Sequence, residues 1–272
     1  MELAQTLAEL DRRKSVLDAH RPLAPATVRS LFEALRVEHT YASNAIEGNS
    51  LTLQETLVAL EGLTVGGKPL RDHLEAVDHA EAFDYVRVLT DRREPLTENA
   101  IRSIHALVLR RSRPDDAGRY RNVQVFISGS RHVPPDPVAV PGAMRDLLWW
   151  LCSAEEAGQN PVALSAEFHA QLVTIHPFVD GNGRTTRLVS NLLLMRHGYP
   201  PASWTPEDRT EYYRALESAA LGGNAAAITL LTAQAVTRTF DRYLRVIEET
   251  WAAEARQRPG TPPRDQDRGV ER

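Results

Sequence analysis

Cysteine is almost absent: Cys152 stands alone in 272 residues. That excludes an internal disulfide framework and fits a reducing compartment. No apolar run approaches the roughly 18 residues that a membrane span needs. The first twenty residues, MELAQTLAELDRRKSVLDAH, set acids among their leucines and lack the basic start and apolar centre of an export signal. The expectation is a cytoplasmic chain without membrane contact. A basic excess is missing too: 32 Lys+Arg against 36 Asp+Glu leave a net charge of −4, so a general nucleic-acid binder is not expected. There is no internal repeat. What remains, 42% hydrophobic and 25% charged, is ordinary globular composition, enough for one large domain or one domain with appendages.

Apolar residues recur at three-to-four-residue spacing nearly everywhere, which predicts an all-α, mainly helical fold. Helices are expected over residues 2–18, 27–47, 53–60, 71–91, 98–111, 141–158, 161–175, 184–197, 206–221 and 225–255. Gly48 is a left-handed terminator for the second, and Thr52 with Glu55 forms a capping-box pattern for the third. Thr97 and Thr205 are further caps. One segment departs from this pattern. In YRNVQVFISGSRHVPPDP, residues 120–137, Val123, Val125 and Ile127 alternate and Gly129-Ser130 can turn. It predicts a small β-hairpin. Residues 251–272 are charged and proline-bearing, and are expected to be a disordered tail.

The segment that carries chemistry is HPFVDGNGRTTR, residues 176–187. Leu164, Phe168, Leu172 and Ile175 make an apolar stripe on the helix before it. Pro177 disfavours helical geometry at His176 and ends that helix, leaving the imidazole at the mouth of a loop. The turn Asp180-Gly181-Asn182-Gly183 then feeds a new helix N-terminus, whose free N–H groups and dipole favour an anion. Arg184 and Arg187 are three apart and reach one region, which suits a polyphosphate. Asp180 adds the single carboxylate that Mg²⁺ often uses beside substrate phosphates. These residues by themselves define an anion site with a candidate base. It is not a P-loop, because the lysine of that motif is missing.

This stretch resembles the Fic-domain signature, HxFx(D/E)GNGRxxR, at every specified position. The likeness extends to GRYRNVQVFISGS-RHVPP, similar to the family's flap, and to EYYRALESA, covering roughly residues 28–245. Residues 43–49, SNAIEGN, resemble the family's inhibitory motif through Ser43, Glu47 and Gly48, and place the chain in the class with an N-terminal inhibitory helix.

The resemblance implies a protein adenylyltransferase. By similarity His176 is the general base that takes the proton of a Ser, Thr or Tyr hydroxyl, and Asp180 holds Mg²⁺. Gly181, Asn182, Gly183 and Arg184, with Thr185 and Thr186, cradle the phosphates of ATP, and Arg187 binds the γ-phosphate. The hairpin is the flap that aligns the target protein, with Gly129, Ser130, Arg131 and His132 near the nucleotide. Tyr212 and Tyr213 match a tyrosine pair near the adenine, with a core role open for one of them. Where the family often has Asn, this chain has Ala220. Glu47 is expected to inhibit by engaging Arg187. A cationic partner also answers its position in the last turn of its helix, where the macrodipole disfavours a carboxylate.

The implied division is an N-terminal helix and linker at 1–27, a segment bearing the inhibitory motif at 28–60, a catalytic domain at 61–250, and the tail. Removal of AMP by the same glutamate is left open. Phosphoryl transfer is disfavoured because phosphorylating relatives resemble DxNK in the loop, and a non-catalytic regulator is disfavoured by the intact His176. The resemblance adds two further expectations, self-modification and a homodimer. His169, seven residues before His176, has no third ligand at zinc spacing and is expected to be structural or to support the site.

Overall fold

The computed structural model describes residues 2–92 and 94–257, with side chains to residue 247. Its helices are α1 (Glu2–Ala19), α2 (Pro25–Ile46), α3 (Leu53–Leu60), α4 (Leu70–Arg92), α5 (Glu98–Val108), α6 (Val140–Glu156), α7 (Pro161–Ile175), α8 (Asn182–Arg196), α9 (Arg209–Ala220) and α10 (Ala226–Gln257). Several starts are written in the sequence. Thr52 and Glu55 close a reciprocal capping box on α3, at 3.2 and 2.8 Å. Thr97 Oγ1 accepts from Ala100 N–H at 3.1 Å, and Asn160 Oδ1 accepts from Val162 and Ala163 N–H at α7. Gly48 terminates α2 at φ 97°. Thr205 instead caps a short 3₁₀ turn, Pro206–Asp208, and α9 begins behind it. Helix α10 runs into the stretch expected to be tail, and residues 258–272 lie outside the described ones.

The β-hairpin expected at 120–137 does not form: among the described residues there is no strand. Only its turn survives, with Ser130 N–H donating to Ile127 O at 3.0 Å. The reason lies in who satisfies the carbonyls. Arg121 donates to Val123 O and to Pro135 O, and Gln124 Nε2 donates to Val125 O at 3.3 Å and Pro134 O at 3.0 Å. Pro134 and Pro135 have no N–H to return. Side chains thus take the place of a backbone ladder.

Helix α8 is buried along most of its length, from Asn182 to Leu194. On one side Phe83, Phe168, Phe178, Leu188 and Leu192 join α4 to α8. On the other, Leu10, Ile46, Leu194, Tyr212 and Phe240 tie in α1, α2, α9 and α10. The polar N-terminus of α8 is therefore held where two apolar clusters meet. Among the described residues, no helix is long and apolar enough to cross a membrane.

Candidate active site

Helix α7 ends at His176, which takes a left-handed conformation (φ 49°, ψ 61°). It is the one described non-glycine residue with positive φ, a geometry that costs about 1–2 kcal/mol. Its N–H donates to Leu172 O at 3.1 Å, which closes the helix. Arg121 fixes the other side: its Nε donates to His176 O at 2.8 Å and its backbone N–H to Pro177 O at 3.0 Å. Burial lowers the His176 imidazole to about 4, against a smaller upward pull from the Val173 carbonyl. At neutral pH it is an uncharged base.

The turn after it is held from below. Asn182 Oδ1 accepts from Phe178 N–H at 3.0 Å and its Nδ2 donates to Phe178 O at 2.8 Å. His105 donates from Nε2 to Asp180 O at 2.9 Å and stacks on Phe178, with ring centroids 3.6 Å apart. Gly181 is at φ 74° with Leu109 and His105 close against it, so a side chain there is both strained and crowded. Thr185 and Thr186 face the core, fully buried.

Two arginines define the electrostatics. Arg184 is 2% exposed. It lies 3.3 Å from Glu75 and 3.6 Å from Asp180, yet its Nε and Nη1 make no hydrogen bond. A buried guanidinium with spare donors at a helix N-terminus is a ready anion site. Burial raises the Asp180 carboxyl, but Arg184, the Gly181 N–H and Arg113 outweigh it and hold the group below the ordinary carboxylate range. Arg113 and Arg71 complete its cationic surroundings at 3.3 and 3.6 Å.

Arg187, 3% exposed, is engaged on all sides. Its Nη2 donates to Glu47 Oε1 at 2.7 Å and to Ser43 O at 2.8 Å, its Nε donates to Ser43 Oγ at 2.9 Å, and Nη1 donates to Tyr212 Oη at 3.3 Å. Burial pulls its charge down, and Tyr212 and Glu47 more than restore it. The Glu47 carboxylate also lies directly over Gly183: a β-carbon there would collide with Glu47 Oε1 and sit 3.2 Å from Arg187 Nη1. The end of α2 is pinned by α9, because Arg209 Nε and Tyr213 Oη donate to Ile46 O at 2.8 and 3.2 Å.

These groups open onto a cleft of about 620 Å³, a volume typical of small-molecule sites. Glu47, His176, Gly183 and Arg187 line one side of it, Gly129, Ser130 and His132 another, and Tyr212, Tyr213 and Ala220 a third. Tyr213 is 38% exposed, whereas Tyr212 is buried with its hydroxyl occupied. The turn bearing Ser130 is latched to α9: Glu217 accepts from Ser130 Oγ and from Arg131 N–H, the latter at 2.8 Å. The Arg131 guanidinium projects to solvent. Asp180 and Arg184 stand beside the cleft, on the side of Arg71, Arg113 and Glu75. Sequence reasoning missed those three and Arg121. No local spacing marks them, since Arg121 and its contact at His176 are 55 residues apart.

An all-helical body with buried arginines at a helix N-terminus, a neutral imidazole beside them and a carboxylate of the same chain on the second arginine describes the site. The Fic/DOC family model matches residues 95–194, which include the whole loop. Protein adenylyltransferase Fic of Nematostella vectensis is 38% identical over 242 residues, 88% of this chain and 56% of that protein. Its namesake in Drosophila grimshawi is 36% identical over 88% of this chain and 49% of its own length. The chain thus spans about half the length of the curated relatives it matches. Among solved structures, Fic-1 from C. elegans superposes with TM-score 0.81 at 29% identity, covering 91% of this chain and 73% of that one. A single-substitution form of Fic-1 does so with TM-score 0.78 at 30% identity, covering 89% and 72%. A Fic-domain-containing signaling protein from Bacteroides thetaiotaomicron gives 0.78 at 27% identity, covering 90% and 97%. This chain belongs to the Fic/DOC family.

Proposed function

We propose that the protein is a protein adenylyltransferase held off by its own Glu47. The target hydroxyl oxygen attacks the α-phosphorus of ATP, the bond to the β-phosphate oxygen breaks, and pyrophosphate leaves. His176 accepts the hydroxyl proton, as its low affinity for protons at neutral pH permits. Arg184 and the N–H groups at the start of α8 hold phosphate oxygens, and Arg187 takes the γ-phosphate once Glu47 is gone. Tyr213, with its ring exposed in the cleft, is the residue of the tyrosine pair that meets the adenine. The catalytic part is residues 61–250, and residues 28–60 carry the brake.

Asp180 is the residue suited to Mg²⁺. It is kept ionised by its surroundings. Among the described residues no group of three or more His, Cys, Asp or Glu could hold a metal, so the remaining oxygens have to come from phosphates and water. The ion would neutralise charge on the leaving pyrophosphate.

One contact supports both halves of this reading: the Glu47 carboxylate on Arg187, lying over Gly183 in the phosphate cradle. The test is intact-protein mass after incubation of the wild type and Glu47→Gly with Mg·ATP, with self-modification as the readout and a candidate target protein added in parallel. AMP addition confined to, or far stronger on, Glu47→Gly is expected, and His176→Ala in that background should abolish it. Equal addition on both proteins overturns the brake. Added phosphate in place of AMP overturns the adenylyl transfer.

A further inference from the structure

Arg187 has partners of two kinds. Glu47 and Ser43, which supply three of its hydrogen bonds, both belong to the inhibitory end of α2. Tyr212, on α9, does not. The Tyr212 hydroxyl lies 2.7 Å from His169 Nε2, on α7, and His169 Nδ1 lies 3.1 Å from Ser190 Oγ. Ser190 is on α8, one turn beyond Arg187 itself. The chain Arg187–Tyr212–His169–Ser190 therefore closes on the helix where it began, linking α7, α8 and α9. All four side chains are buried, none more than 3% exposed.

The order of protons around this ring follows from the cation. Arg187 has only donors, so the Tyr212 oxygen accepts from it and the Tyr212 O–H has to point elsewhere. The partner within reach is His169 Nε2, which must then be the unprotonated nitrogen. His169 carries its proton on Nδ1 and donates it to Ser190 Oγ. Burial, and then the charge of Arg187, hold this imidazole down to about 3, so it stays neutral and keeps a single tautomer.

We infer that Tyr212 and His169 are positioning residues: a buried strut that keeps the Arg187 guanidinium aimed at the nucleotide's terminal phosphate when Glu47 releases it. The inference rests on the proposed reading of the cleft as an ATP site. It assigns the lasting part of Arg187's surroundings to Tyr212 and His169, with Ser43, and the removable part to the Glu47 carboxylate. It also gives His169 a task that its spacing from His176 alone does not suggest.

The test is calorimetric binding in the Glu47→Gly protein, comparing Mg·ATP with AMP, which lacks the terminal phosphate. Tyr212→Phe keeps the ring and loses the hydroxyl. It should weaken ATP about tenfold, the scale of one hydrogen bond to a charged group, and change AMP affinity less than about twofold. His169→Ala should do the same, and His169→Gln, whose side-chain oxygen can accept from Tyr212, should recover most of the loss. Nitrogen-15 spectra of the wild type should show His169 protonated on Nδ1, a readout independent of turnover. Equal weakening of ATP and AMP, no weakening of either, or an Nε2-protonated His169 would each overturn the strut. Failure of the Glu47→Gly parent to bind ATP overturns both the strut and the ATP site. Binding without AMP transfer sinks the transferase reading and leaves the strut standing.

Discussion

His176 joins two costs, a left-handed backbone and a half-buried ring. Both are imposed by neighbours. Pro177 blocks helical continuation, Arg121 holds the carbonyls on either side of the bend, and the packed end of α7 shields one side of the imidazole. The chemical result is a base that stays neutral well into acid. A general base works in its unprotonated form, so a lowered value extends activity downward in pH. Removing Glu47, whose charge raises the imidazole, lowers it further. For Glu47→Gly, kcat/KM for label transfer from ATP should be level from about pH 8 to about pH 5 and fall only towards pH 4. A half-fall near the ordinary 6.5 would mean that His176 is solvated or is not the base.

The elements around the cleft differ in how firmly they are tied. Helix α8 is enclosed on both sides, whereas the turn at Ser128-Gly129 lies in a segment with no backbone ladder and is fastened to its surroundings through side chains. Glu217 is its latch to α9, and His132 adds a second tie by donating from Nε2 to Thr174 O at 2.9 Å. Glu217→Ala should leave the helical core intact. It should speed amide hydrogen exchange at Ser130–His132, by roughly tenfold if one net hydrogen bond of about 1.4 kcal/mol to a carboxylate is lost. Exchange unchanged at those amides would show that the turn is held from elsewhere. This segment is also where the sequence misleads. The alternation Val123, Val125, Ile127 has the period of a strand, but period says nothing about whether a partner has donors to offer, and Pro134-Pro135 has none. Helix starts were legible at Thr52 and Thr97 because a cap is satisfied within three residues of itself.

At the scale of the molecule, the interior is unusually rich in imidazole. His39 and His105 are lowered to about 4 and His169 to about 3, and His79 lies well below its ordinary value; burial leads in every case. In the unfolded chain each takes up a proton near 6.5, whereas in the folded protein each resists it. Acid therefore favours unfolding, and stability is lost as pH falls from 6.5 towards the folded values. Each such group contributes a slope of at most about 1.4 kcal/mol per pH unit, and four together up to about 6 kcal/mol. That is comparable to the whole stability of a domain. The melting temperature should hold from about pH 8 to 7 and then drop by about 10–20 °C per unit below pH 6, as circular dichroism would record. A flat profile to pH 5 would mean that these rings are hydrated. None of this could be read along the chain, because burial of a histidine depends on helices brought together from far apart. The loop at 176–187 and the motif at 43–49 were legible as strings, and that Glu47 meets Arg187, across 140 residues, was expected only from their likeness to family motifs, not from any local pattern.

Glu47 seated over Gly183 is a ligand supplied by the chain itself. A diffusible inhibitor can be diluted or dialysed away; this one is present at a fixed effective concentration set by the geometry of α2. On the proposed reading, occupancy of the cradle is then a contest in which one competitor never varies, and the outcome follows the level of free nucleotide. On that reading the clamp of Arg209 and Tyr213 on Ile46 sets the odds. On the proposed reading, the end of one helix sets the zero point of a gauge for nucleotide.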